Sequence, residues 1–147
     1  KHLHELTVTW VVKDFVIQER LKAACFSNTF WVGFAGAQAY CFRLSLVFKH
    51  HNRVGVYLNH VGAGCCLLPI NIGGTQFTLE PNDRLRESRR PEMARTVAQD
   101  RTIELTGSGL GWRHFCTNQQ ALEALQADGS IKITCKVCVG KTTSIRI

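Results

Sequence analysis

Three stretches of this sequence alternate large apolar side chains with other residues at a period of two. Ile131, Ile133, Cys135, Val137 and Val139 are interleaved with Lys132, Thr134, Lys136 and Cys138. Tyr40, Phe42, Leu44, Leu46 and Phe48 form a second row, and Leu6, Val8, Trp10 and Val12 a third. Successive side chains of an extended strand point to opposite faces, so each row predicts a strand with one buried face. Such faces are satisfied by packing against another sheet.

Shorter strands are predicted at Phe30 to Phe34, Val54 to Leu58, Cys65 to Ile72, Thr75 to Leu79 and Thr102 to Leu105. The polar run Lys49 to Arg53 reads as the turn of a hairpin. Pro69 supplies no ladder donor, which puts its strand at an edge or a bulge. Gly73-Gly74 reads as a turn, and Gly107 to Trp112 as a glycine-rich turn carrying Leu110 and Trp112. Pro81 to Asp100 has few large apolar residues and reads as a long solvated loop or irregular strand. One helix is predicted over 118–126, capped by Thr117 or Asn118, with Ala121, Leu122 and Leu125 at helical spacing. Asp128-Gly129 is a tight-turn signal, and interleaved βαβ units are absent. The expected fold is therefore all-β: a seven- to eight-stranded antiparallel β-sandwich with one short helix. At 147 residues the chain fits a single domain over 1–140, with 141–147 a tail or closing strand.

Seven cysteines is an odd count, and most sit in apolar runs. Buried free thiols in a reducing compartment fit better than a disulfide scaffold, which predicts an intracellular protein, cytoplasmic or nuclear. No apolar run approaches the roughly 20 residues that span a bilayer, so no membrane partner is expected. The net charge of +7 favours encounters with anionic partners, or serves solubility alone.

Chemistry is sparse. Gly107-Ser-Gly-Leu-Gly111 lacks the lysine and the strand-to-helix setting of a phosphate cradle. Cys135 and Cys138 have a zinc-like spacing but no second pair, and on a strand they face opposite ways. His114 neighbours Cys116 without a third group to orient a nucleophile–base pair. No paired carboxylates stand out. The expectation is a protein that is not an enzyme and holds no cofactor or metal. Arg84, Arg86, Arg89, Arg90 and Arg95 form a candidate anion contact, since guanidinium forks bind carboxylate and phosphate. Asp83, Glu87 and Glu92 interrupt that run, and it has no aromatics for base stacking, so nucleic acid is the lesser alternative.

The order of motifs resembles the meprin and TRAF homology (MATH) domain, a TRAF-C-like module. Thr9 to Phe15 is similar to the family's opening strand, and Ser27-Asn-Thr-Phe30 to its Ser-x-x-Phe segment. Tyr40 to Leu44 and Val54-Gly-Val-Tyr-Leu58 resemble two central strands. Gly109-Leu-Gly-Trp-Arg-His-Phe115 resembles the aromatic segment that follows, and Asp128 to Val137 the closing strand. The resemblance covers residues 5 to 139 and is nearest to speckle-type POZ and TNF-receptor-associated factor domains, with seven-in-absentia substrate domains related. It implies an eight-stranded sandwich that binds short extended peptide segments of other proteins in a shallow groove. By position it implies groove residues Tyr57, Cys66, Thr102, Leu110, Trp112 and Arg113, of which Tyr57, Trp112 and Arg113 keep family-like character. It further implies service as the substrate-recognition module of a ubiquitin ligase complex or as a signalling adaptor. The alternative is a trimeric receptor-signalling scaffold, a homo-oligomer assembled through flanking regions.

Overall fold

The alternating rows become two antiparallel sheets packed face to face. The computed structural model describes residues 3–33, 39–50, 52–62, 70–82, 93–96, 101–103 and 109–140. The first sheet runs β1 (Leu3–Val12), β10 (Ile131–Gly140), β6 (Ile70–Leu79) and then β7 (Met93–Thr96), with β8 (Arg101–Ile103) also on β6. The second runs β2 (Ala24–Phe26), β4 (Ala39–His50), β5 (Arg53–Gly62) and β9 (Gly109–Thr117), with β3 (Phe30–Gly33) also on β4. β2 pairs with one end of β4 and β3 with the other, so together they make one broken edge. β7 and β8 do the same along β6. Each sheet thus has four strand positions, two of them interior.

The core lies where the predicted rows meet. Phe42, Leu44 and Leu46 of β4 and Val54, Val56 and Leu58 of β5 face Phe77, Ile131, Ile133, Cys135 and Val137 of the first sheet. Phe77 and Phe115 meet edge to face from opposite sheets, with ring centroids 6.5 Å apart. Each such fully buried aromatic contributes about 2–3 kcal/mol of transfer free energy. β1 shows the expected alternation, with Leu6, Val8 and Trp10 packed against the core and Thr7, Thr9 and Val11 exposed.

Three corrections concern local structure. First, the described residues hold two helices. α1 (Phe15–Leu21) follows Asp14, whose left-handed backbone (φ 52°) turns the chain out of β1. Phe15 alone of its seven side chains is buried, so α1 has no apolar stripe for a periodicity argument to find. Second, Gly73-Gly74 is not a turn. β6 runs through both glycines, and the register against β10 slips there, from Lys136↔Gln76 to Cys138↔Gly73, which marks a bulge. Third, β9 begins at Gly109, so most of the glycine-rich segment is strand rather than turn. Part of the segment expected as loop or irregular strand is the regular strand β7.

The hairpin between β4 and β5 is tighter than the pattern suggests. His50 pairs with Arg53, and Asn52 adopts φ 63°. α2 (Asn118–Glu123) ends three residues before its predicted limit, because Gln126 turns back to bond Ser130. A capping box opens it: the Thr117 hydroxyl accepts from the Gln120 amide at 3.0 Å, and the Gln120 side chain accepts from the Thr117 amide at 2.9 Å. Asn118 donates its backbone N–H to Asn52, and Phe15 to Gly129, so both helices and the hairpin tip are tied together at one end.

Candidate functional site

Strand parity divides the second sheet. With Phe42, Leu44, Leu46, Val56 and Leu58 in the core, Arg43, Ser45, Val47, Tyr57 and Asn59 take the outer face. The register lines them up in rows. Phe26, Ser45, Tyr57 and Gly111 are cross-strand neighbours. Arg43, Asn59 and Gly109 form the next row. Trp31 lies opposite Cys41 beyond them.

This face carries unusual apolar exposure. Phe26 is 53 % and Trp31 56 % exposed, although both belong to strands. Ser45 is nearly buried, and its hydroxyl donates to Asn59 Oδ1 at 2.9 Å. The Arg43 guanidinium carbon sits 4.1 Å above the Phe26 ring centre, a cation–π contact. A groove of about 360 Å³ lies between these groups, lined by Phe26, Arg43, Ser45, Tyr57, Asn59 and Val61 among others.

Tyr57, which lines the groove, packs beside two glycines. A Cβ added at Gly111 would sit 2.7 Å from the ring's Cδ1, and one at Gly55 3.3 Å from its Cε2. The ring therefore packs close beside both glycines. Among the described residues β9 ends its sheet, and its two residues opposite Tyr57 and Asn59 are glycines, so neither puts a side chain between Tyr57 and that edge.

The electrostatics are one-sided. The strands β2, β3, β4, β5 and β9 contain Arg43, Lys49, Arg53 and Arg113 and not one Asp or Glu. Arg53 is spent locally: its Nη1 lies 3.0 Å from Nδ1 and 2.9 Å from Nε2 of His114.

The expected groove residues are only partly brought together. Tyr57 is half-buried on the outer face, and Arg113 is exposed on the same sheet. Leu110 pairs with Leu58 and is 4 % exposed, inside the core. Trp112 pairs with Val56 and packs against that core. The segment is a strand rather than the expected turn, and strand parity sends both side chains inward. Thr102 belongs to β8 of the other sheet, opposite Asn71, and Arg95 to β7, opposite Phe77. Cys66, Arg84, Arg86, Arg89 and Arg90 lie outside the described residues, as does 141–147. Sequence reasoning passed over Arg43, Ser45 and Phe26. The first two were legible as the polar alternation opposite Phe42 and Leu44.

Other features carry less. A larger cleft, about 560 Å³, opens between β1 and residues 25–30, lined by Val8, Trp10, Val12 and Phe30 together with polar groups such as Thr9, Lys13, Ser27 and Asn28. Among the described residues no group of three or more His, Cys, Asp or Glu could hold a metal ion. Burial pushes the Cys25 thiol up to about 11 and the Cys135 thiol to about 12, so neither is a thiolate at neutral pH. No helix among the described residues is long and apolar enough to cross a membrane.

Comparison with protein-family models finds no match, and comparison with curated proteins finds none either.

Proposed function

We propose that this domain binds a short extended segment of another protein along the outer face of its second sheet. One observation carries the reading: the exposed groove lined by Tyr57 adjoins β9, an edge strand among the described residues, whose positions opposite Tyr57 and Asn59 are glycines. A strand-like ligand gains affinity from backbone pairing at a sheet edge and selectivity from pockets for alternate side chains. Here the edge and the pocket are one strand apart, about 4.8 Å. The motif resemblance supports the same class of ligand. It also favours service as a recognition module for a ubiquitin ligase complex or a signalling adaptor over the trimeric scaffold.

The test is selection from a displayed library of random decapeptides, followed by titration of selected peptides into the Tyr57→Ala variant. Aromatic anchors in pockets commonly contribute about 2 kcal/mol or more, so affinity is expected to fall at least tenfold. Failure to enrich any peptide, or equal binding by the variant, would remove this reading.

A further inference from the structure

We infer that two copies of this chain associate through β1, pairing antiparallel about a twofold axis at Thr9 so that their first sheets become one. Of the four sheet edges among the described residues, three are interrupted. β2 and β3 split one between them, and β7 and β8 another. β9 is bulged, its register slipping between Val54 and Val56, and it carries Arg113 and His114. β1 has none of these features. Its ten residues pair with β10 without a shift, and it contains neither proline nor lysine. Short strands, bulges, prolines and cations keep an edge from pairing with another chain, so an edge lacking all of them is open to a partner strand.

Burial along β1 tells the same story. Leu6, Val8 and Trp10 pack against the core yet stay half-buried, as does Phe30 across the cleft. That cleft of about 560 Å³ runs along this edge, with Val8, Trp10, Val12 and Phe30 in its lining. On the other face Val11 is 41 % exposed. A further strand in the sheet would cover both rows, since its own side chains alternate in the same way.

The sequence of β1 makes a second copy the fitting neighbour. A twofold axis at Thr9 pairs each residue with the one equally far on the other side. Thr9 meets Thr9, Thr7 meets Val11, Leu6 meets Val12 and Val8 meets Trp10. The inward apolar rows therefore meet each other. Position 5, a glutamate, falls opposite position 13, a lysine, once on each side of the axis. Opposite charges directly across a sheet stabilise the pairing, and like charges oppose it. An axis at Val8 would set Glu5 against Val11, and one at Trp10 would set Lys13 against Thr7, so neither matches the charges. β1 touches β3 and β7 touches β9, which puts β1 and β9 on opposite flanks of the sandwich. The seam leaves the β9 edge free, and it stands whether or not the Tyr57 groove binds a peptide.

Sedimentation equilibrium on the chain between about 1 and 300 µM tests this, the range in which a small interface associates. Wild type should dimerise. Glu5→Lys and Lys13→Glu should each weaken the dimer about tenfold, because like charges then oppose each other at both ends of the seam. An equimolar mixture of the two variants should restore it as a heterodimer, since each supplies the charge that the other lacks. Tyr57→Ala should dimerise like wild type. Circular dichroism checks that each variant folds. Should either reversal fail to fold, Thr7→Lys mixed with Val11→Glu poses the same test at the adjacent pair, and the mixture should associate more tightly than either variant alone. A chain monomeric throughout overturns the inference. So does a dimer that neither reversal weakens, or one that mixing of folded variants fails to restore. A dimer lost in Tyr57→Ala overturns it as well, because the contact then runs through the groove.

Discussion

The Tyr57 ring packs close beside the backbone of Gly111, its cross-strand partner. A Cβ at position 111 would come within 2.6 Å of the Tyr57 Cα and 2.7 Å of its ring, and it would collide with the Val56 carbonyl. Two of these three obstacles are backbone and cannot rotate away. Gly111→Ala should therefore destabilise the fold by about 2 kcal/mol or more, as overpacking does. Gly129→Ala is the contrast. Nothing lies within 4 Å there, and the cost, about 1–2 kcal/mol, comes from its φ of 88° alone. Urea denaturation of both variants checks the order, and Gly111→Ala should also displace the Tyr57 ring signals in an NMR spectrum.

Leu110 and Arg113 should behave oppositely. Leu110→Ala empties a core position and should cost about 2–5 kcal/mol. Arg113→Ala changes an exposed side chain and should stay within about 0.5 kcal/mol. Thermal melts of the two variants measure this. Equal, small effects would place Leu110 on the surface after all.

The capping box gives a prediction for α2. Thr117→Ala removes the hydroxyl that accepts the Gln120 amide and frees the Gln120 side chain. The expected loss is about 1 kcal/mol. Thr117→Ser keeps the acceptor and should recover most of it, in the same denaturation assay.

His60 predicts acid sensitivity. It is fully buried on the core side of β5, its ring 5.6 Å from Phe42, and neither ring nitrogen has a partner among the described residues. Burial lowers its pKa below the ordinary 6.5. A neutral native imidazole and a protonated unfolded one mean that the unfolded state binds more protons below that value. Stability should then fall as pH drops through 6.5, continuing down to the lowered native pKa. His60→Phe should flatten the slope of stability between pH 7 and 5. A slope unchanged in that variant would assign it to other groups.

Much of the architecture was written in the sequence. A period of two is a local property, and one misplaced residue would send an entire row to solvent, so Ile131 to Val137 and Phe42 to Leu46 announce their own buried faces. The cap at Thr117 and the turn at Asp128, whose carboxylate accepts from Ser130 at 2.7 Å and 3.0 Å, were equally local and equally legible. α1 was not, because Phe15 is its one buried side chain and its place depends on Phe48 and Gly129, distant in sequence.

Register, in contrast, belongs to pairs of strands, and the candidate site is made of register. The motif resemblance grouped Tyr57, Leu110, Trp112 and Arg113 with Cys66 and Thr102 as groove residues. Only the pairing of β5 with β9 sorted the first four, sending Leu110 and Trp112 into the core and packing Tyr57 beside Gly111. Arg43 stacks on Phe26, seventeen residues earlier in the chain, because β2 pairs with β4. The sequence by itself determined which faces are apolar, since side-chain alternation is fixed within each strand. The tertiary structure decided which side chains share a face, since that depends on cross-strand alignment the local pattern does not encode.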